Sequence, residues 1–340
     1  MSRRVLVARL DSDGDVLLAG PAVRAAAAAG EVVLLCGPAG RQAAELLPGV
    51  ARVLTWSCPW IEDPAPPVRE PDIEGLVALL HGVRADTALI LTSFHQSALP
   101  LALVLRLAGV PRVVAASTDY PGSLLDVRLR PDVDFDDDLP EPERALAVAK
   151  AAGMELPPGD DGRLAVIPRP EVTELTGGGR YVVLHPGASV PARAWSPDRC
   201  AKAVVELESR GHRVLVTGGP AERALTERVA GAHGVDLGGR TTFAQLSGVL
   251  AGADALVVGN TGPAHLAAAV GTPVVSLFAP VVPARRWAPY RVPHVLLGDQ
   301  HAACLDSRAR QCPVPGHPCL DTVEPSAVAD AVDQLLEVRA

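Results

Sequence analysis

Aromatic residues are scarce in this 340-residue chain, which has four Trp, three Tyr and four Phe, 3% in all. A core must therefore be packed from Ala, Val and Leu. Lysine is scarcer still: Lys150 and Lys202 are the only two, so the basic charge is almost all arginine. With 31 basic against 39 acidic side chains the formal net charge is −8, which argues against a nucleic-acid surface. Arginine favours bidentate contact with phosphate, a point toward an anionic small ligand. No apolar run reaches the roughly 18–20 residues of a membrane span. The alanine-rich piece Ala25–Ala29 is far too short, and the start lacks the apolar region of a signal peptide. The expectation is a cytoplasmic protein with no transmembrane segment. No C-x-x-C pair is present either. Cys36, Cys58 and Cys200 are scattered like small core residues. Cys304, Cys312 and Cys319 cluster beside His301 and His317, but their gaps fit no common zinc spacing. Reduced thiols or one local disulfide suit them better than a metal.

Hydrophobic residues make up 48% and charged residues 21%, the composition of a globular chain long enough for two domains. Short apolar runs at 4–9, 31–36, 52–56, 88–92 and 112–116 read as strands. Helical segments open at Asp15 and span 72–82 and 97–108, and a proline-rich connection runs from Cys58 to Pro71. This alternation predicts an α/β fold with parallel sheets wrapped by helices. The acidic run Asp132–Glu143 reads as a solvated loop leading to a helix at 143–152. Positions 155–180, rich in Pro and Gly, form a connection whose linker proper is 166–180. A second series follows, with strands at 181–185, 213–217, 255–258 and 273–278 and helices at 197–210, 221–231 and 242–252. The predicted organisation is a first domain over 1–165, a second over 181–323, and a C-terminal helix within 324–340. Two tandem α/β units imply a cleft, with ligands beyond the carboxyl ends of the strands.

The stretch Ala255–Pro280 is the most informative. A buried strand ends at Gly259, Asn260 or Thr261 can cap a helix with Pro263 in its first turn, and Gly271 and Pro273 end that helix. Such a turn aims backbone N–H groups and the positive end of a helix dipole at one point, a seat for phosphate or an ordinary βαβ corner. The loops His185–Ser189 and Thr217–Gly219 with Glu222 also sit where strands end and bring small residues there. None is a Walker loop or a G-x-G-x-x-G turn, so standard NTPase and dehydrogenase sites are disfavoured. Together these loops favour a nucleotide diphosphate.

HPGAS at 185–189, R-x-W-S-P at 193–197, GGPAE at 218–222 and GNTGPAHLAAAVGTP at 259–273 occur in this order. Joined by R-L-D-S-D-G-D-V at Arg9–Val16, they resemble glycosyltransferase family 9, the heptosyltransferase family. The resemblance implies a GT-B fold, two Rossmann-like domains facing each other across a cleft, and an inverting transfer of a sugar from ADP-heptose to an acceptor hydroxyl. It also implies a C-terminal helix that crosses back toward the first domain. Asp15 becomes the general base; otherwise it only compensates a helix dipole. Thr261 and Gly262 hold the diphosphate through their amides, Ser189 adds a hydroxyl, and Arg193, in place of the family's lysine, neutralises charge on the leaving ADP. Gly218 gives close backbone approach, and Glu222 binds the ribose hydroxyls or is a plain first-turn charge. His265 follows one turn into the helix, a place that suits a packed histidine. Asn260 stands where many relatives have Asp, a change that alters donor choice only if the carboxylate itself is used.

Asp13, His95 and Tyr120 are assigned to the acceptor side. Asp11-Ser12-Asp13 is a D-x-D triplet, but it belongs to the half opposite the phosphate loops, so no metal and no cofactor are expected. The nucleotide-sugar is a substrate, and its partner is a glycan or small-molecule acceptor, with peripheral membrane contact left open. The rival readings are a nucleotide-sugar epimerase of the same architecture and a non-catalytic nucleotide-sugar binding protein.

Overall fold

Each half of the chain builds its own sheet, with the same strand order in both. In the computed structural model, which describes residues 3–167 and 170–337, the first sheet holds β1 (Arg4–Arg9), β2 (Glu31–Cys36), β3 (Val50–Thr55), β4 (Thr87–Ile90), β5 (Val113–Ala116) and β6 (Val127–Leu129). Its order is β3-β2-β1-β4-β5-β6, parallel throughout. The second holds β7 (Val182–His185), β8 (Val214–Val216), β9 (Val235–Asp236), β10 (Ala255–Gly259), β11 (Val274–Leu277) and β12 (His294–Leu297), ordered β12-β11-β10-β7-β8-β9 and also parallel. Counted from its own first strand, each sheet reads 3-2-1-4-5-6, the doubly wound dinucleotide-binding order. The order reverses between β1 and β4 and again between β7 and β10.

The chain divides after Ile167 into two units, inside the predicted 166–180 linker. Residues 168–169 of that linker, residues 1–2 of the first predicted domain and residues 338–340 of the predicted C-terminal segment lie outside the described residues. The inner strands are buried along their length, as parallel strands covered on both faces must be. Three strands escaped the sequence reading: β6, β9 and β12. All three are sheet edges, two to four residues long and half-exposed. An edge strand needs no continuous apolar run, so its pattern is weak.

Small side chains set the packing distances. Helix Gly20–Ala29 turns Ala22, Ala25 and Ala26, all fully buried, inward. The C-terminal helix Pro325–Glu337 carries Val328, Val332 and Leu335 at helical spacing and buries them in one core with Cys200, Val257 and Val275 of the second unit. Its apolar face packs in the core of the second unit. On its outer side Asp330 and Asp333 pair with Arg210 at 2.7 and 2.9 Å. Leu335→Ala should lower stability by about 2–5 kcal/mol, and the change Gln334→Ala on the exposed face by under about 0.5 kcal/mol. Urea melts of the two variants check this.

Candidate active site

In the first unit, the loops that leave β1 and β4 meet where the strand order reverses. Arg9 ends β1 and is only 3% exposed. Its guanidinium reaches Asp15 Oδ1 at 3.0 Å, Asp11 Oδ2 at 2.8 Å, Glu141 Oε2 at 3.6 Å and Ser93 Oγ at 2.7 Å. Gln96, on the loop after β4, donates to Asp11. Burial opposes the charge on Arg9, but the three carboxylates outweigh it and raise its pKa above that of a free guanidinium. Asp15 sits in helix Asp13–Leu18 with its side chain 21% exposed. Ser12 is the N-cap residue, yet its hydroxyl makes no cap bond and donates instead to Asp15 Oδ2 at 2.9 Å. One oxygen of Asp15 thus faces Arg9 and the other Ser12.

The D-x-D triplet does not act as a pair. Asp11 turns to Arg9 and Gln96, whereas Asp13 Oδ1 accepts from the Ala43 N–H at 2.9 Å. Burial pushes the Asp13 carboxyl up to about 6, against the pull of the Ala43 N–H. Asp13, expected on the acceptor side, therefore caps the short helix Arg41–Ala44. His95 and Tyr120 lie on the loops after β4 and β5, both exposed, and Tyr120 is 85% exposed. Every aromatic residue between 3 and 167 follows the carboxyl end of a strand: Trp56, Trp60, Phe94, Tyr120 and Phe135. Trp56 and Trp60 are 5.3 Å apart, and Phe94 meets His95 edge-on at 5.3 Å. These rings gather at the end of the sheet where Asp15 lies, with Trp56 and Trp60 packed against the margin of the core.

In the second unit, three loops converge beyond β7, β8 and β10. Glu222 Oε2 accepts from the Gly219 N–H at 2.7 Å, and its carboxylate lies against the backbone of both neighbouring loops. A Cβ on Gly187 would fall 1.8 Å from Glu222 Oε1, and one on Gly218 would fall 2.6 Å from Thr226 Cγ2. His185, buried at the end of β7, shares a hydrogen bond with Thr217 Oγ1 at 3.0 Å and has Nε2 4.0 Å from Glu222. Burial lowers its pKa despite the nearby carboxylate, which keeps the ring neutral. Gly259 closes β10, and a Cβ there would meet the Arg193 carbonyl at 2.7 Å. That close approach brings Arg193 to the 260–262 turn. Ser189 is exposed on the same loop as Arg193, and His265 is buried in helix Gly262–Val270.

In the 260–262 turn the backbone and the Asn260 side chain have partners of their own. The Thr261 N–H donates to the Gly259 carbonyl at 2.9 Å. The Asn260 side chain turns inward, 5% exposed, donating to the Ala279 carbonyl and accepting from the Ala279 N–H, both at 3.3 Å. It ties the end of β10 to the chain leaving β11. An aspartate could not make the first of these bonds when ionised.

The loop bearing Ser189 and Arg193 is braced from behind. The Ala192 N–H donates to the Arg310 carbonyl at 3.0 Å, His317 Nε2 lies 3.1 Å from the Ala192 carbonyl, and Trp195 Nε1 donates to the Leu320 carbonyl at 3.1 Å. The brace is the segment that carries Cys304, Cys312 and Cys319, all free thiols, the first and last buried. Burial pushes the Cys319 thiol up to about 12, so it is not a thiolate at neutral pH. Among the described residues no cluster of His, Cys, Asp or Glu is arranged to hold a metal ion. No described helix is long and apolar enough to cross a membrane.

Two Rossmann-like units of this kind define the GT-B class of glycosyltransferases, and solved structures of that class match nearly the whole chain. They include a family 9 glycosyltransferase from Veillonella parvula (TM-score 0.77, 16% identity, 99% of this chain and 97% of that one) and the ADP-heptose lipopolysaccharide heptosyltransferase II of Escherichia coli (TM-score 0.72, 19% identity, 99% of both). The chain belongs to glycosyltransferase family 9, the heptosyltransferase family, whose model matches residues 76–317. Lipopolysaccharide heptosyltransferase 3 of Escherichia coli is 30% identical over 138 residues, which span 39% of this chain and 39% of that relative.

Two substitutions separate structural from ligand-facing roles. Because the Asp13 carboxyl rises from 3.8 to about 6 on folding, the folded state binds the extra proton between those values. This group's contribution to stability is therefore present at low pH and lost as pH rises through about 6. Asp13→Asn, which keeps the bond from Ala43, should stabilise the protein at pH 8 by on the order of 1–3 kcal/mol and by almost nothing at pH 4. Urea melts at both values test this, and an equal gain at each would count against it. Asn260→Asp should cost about 1–3 kcal/mol at neutral pH and recover at acid pH, where a protonated carboxyl again donates to Ala279. Thermal melts across that range measure it.

Proposed function

We propose that this protein is an inverting, metal-independent glycosyltransferase that moves a heptose from ADP-heptose to an acceptor hydroxyl in the cytoplasm. The observation that carries the reading is Asp15: a carboxylate with a donor on each oxygen, still open to solvent, at the strand-order reversal of the first unit. Family membership supports the transferase class, and the relatives named for heptose transfer support the sugar. In this reading Asp15 takes the proton from the acceptor hydroxyl as that oxygen forms its bond to the anomeric carbon and ADP leaves with the bonding pair.

The second unit holds the nucleotide. The Gly262 amide and the helix dipole behind it meet the diphosphate, and Arg193 neutralises the charge that builds on the departing ADP. Ser189 adds a hydroxyl, and Glu222, one oxygen of which is held by Gly219, takes the ribose hydroxyls. Gly187 and Gly218 let the donor approach the backbone. Metal independence is supported by the divergent partners of Asp11 and Asp13, which leave no paired carboxylates on that triplet. The acceptor is a glycan or small molecule, and the lipopolysaccharide in the relatives' names makes an envelope glycan the first to try.

The test is ADP release from ADP-heptose with a panel of hydroxylated acceptors. Asp15→Asn should reduce release by about 10²–10⁴-fold while ADP still binds, and EDTA should leave the native rate unchanged. With donor alone, the sugar should come back unaltered, since an epimerase would convert it unaided. Near-native transfer by Asp15→Asn would overturn the reading.

A further inference from the structure

We propose that Arg9 is the positioning residue for Asp15, and that Asp11 and Glu141 set how readily Asp15 accepts a proton by sharing the charge of Arg9. The inference rests on Asp15 being the general base.

An arginine at the end of a buried parallel strand is an expensive choice. Taking a guanidinium out of water requires a compensating carboxylate, and one well-placed partner suffices to avoid an unpaired buried charge. Arg9 has three. Its Nε faces Asp11 at 2.8 Å, Nη1 faces Glu141 at 3.6 Å, and Nη2 donates to both Asp15 and Ser93. The three carboxylates differ in access: the Glu141 side chain is 2% exposed, Asp11 11% and Asp15 21%. Only Asp15 is open enough to meet an acceptor, so the other two have work that does not involve touching one.

Electrostatics supplies that work. A carboxylate beside a single arginine has its pKa driven down by about 1–3 units, and it becomes a correspondingly feeble base. Here Arg9 fixes the direction of one Asp15 oxygen, as Ser12 fixes the other, while Asp11 and Glu141 draw on the same positive charge. Orientation is gained without the full loss of basicity. Other charged groups surround the cluster. Arg144 lies 3.3 Å from Glu141, pairs with Asp137 and sits over the Phe135 ring. Asp13 is turned to Ala43, and His95 is exposed on the loop after β4.

The two substitutions that perturb Arg9 from opposite sides should act oppositely. In the full chain with ¹³C-labelled aspartate, the Asp15 carboxyl signal is assigned by its loss in Asp15→Asn and titrated by NMR. Arg9→Met should raise the Asp15 midpoint by about one pH unit or more. Glu141→Gln, which keeps the shape and removes a competitor for Arg9, should lower it, and Arg9→Lys should restore most of the native value. A midpoint unmoved in Glu141→Gln, or shifts of the same sign in Arg9→Met and Glu141→Gln, would overturn the proposal. If Arg9→Met does not fold, Arg9→Lys and Glu141→Gln still decide it. ADP release by Asp15→Asn reports separately on the general-base reading, so the two can fail independently.

Discussion

The reversal of strand order in each sheet is the constraint on which the remaining features depend. At that point the two chain segments leaving adjacent strands turn to opposite faces of the sheet, and the gap between them cannot be filled by either helix. In the first unit Arg9 and the Asp11–Asp15 segment leave one side of the gap while Ser93 and Gln96 leave the other. In the second, the His185–Ser189 loop meets the Asn260–Gly262 turn. Both sets of polar groups stand where the fold itself leaves space.

The two units fill that space by different means. The first uses charge, with one guanidinium at the centre of three carboxylates, and sets aromatic rings around it on the neighbouring loops. The second uses backbone. Gly187, Gly218 and Gly259 lack the Cβ that would strike Glu222, Thr226 or the Arg193 carbonyl, so three loops come within contact of one another. A reacting hydroxyl needs a fixed proton acceptor, whereas a diphosphate needs main-chain donors and room. The division of labour follows from the chemistry of the two substrates in the proposed reaction.

Much of this was legible in the sequence. The buried central strands announce themselves as apolar runs, and the glycine-rich loops after β7, β8 and β10 mark where backbone segments approach closely. Asp15 was singled out through its motif, and the structure places it beside Arg9 and Ser12. The edge strands β6, β9 and β12 were not, because a half-exposed strand of two to four residues has no pattern to read. The directions of side chains were also hidden. Asp13 turns to Ala43, Asn260 to Ala279 and the Thr261 amide to Gly259, and the first two partners are too distant in sequence for any local rule. Arg9 was overlooked although a signal existed: a charged residue that closes an otherwise apolar strand is out of place unless something waits for it.

The brace behind the Ser189–Trp195 loop has a consequence for how the protein is made. His317 and Leu320 hold that loop across 125 positions of sequence. At roughly 5–20 residues per second, a ribosome takes about 6–25 s to synthesise the intervening chain. Until then these contacts cannot form. The order of synthesis thus leaves the Ser189–Trp195 loop without its brace until the segment around His317 and Leu320 has been made.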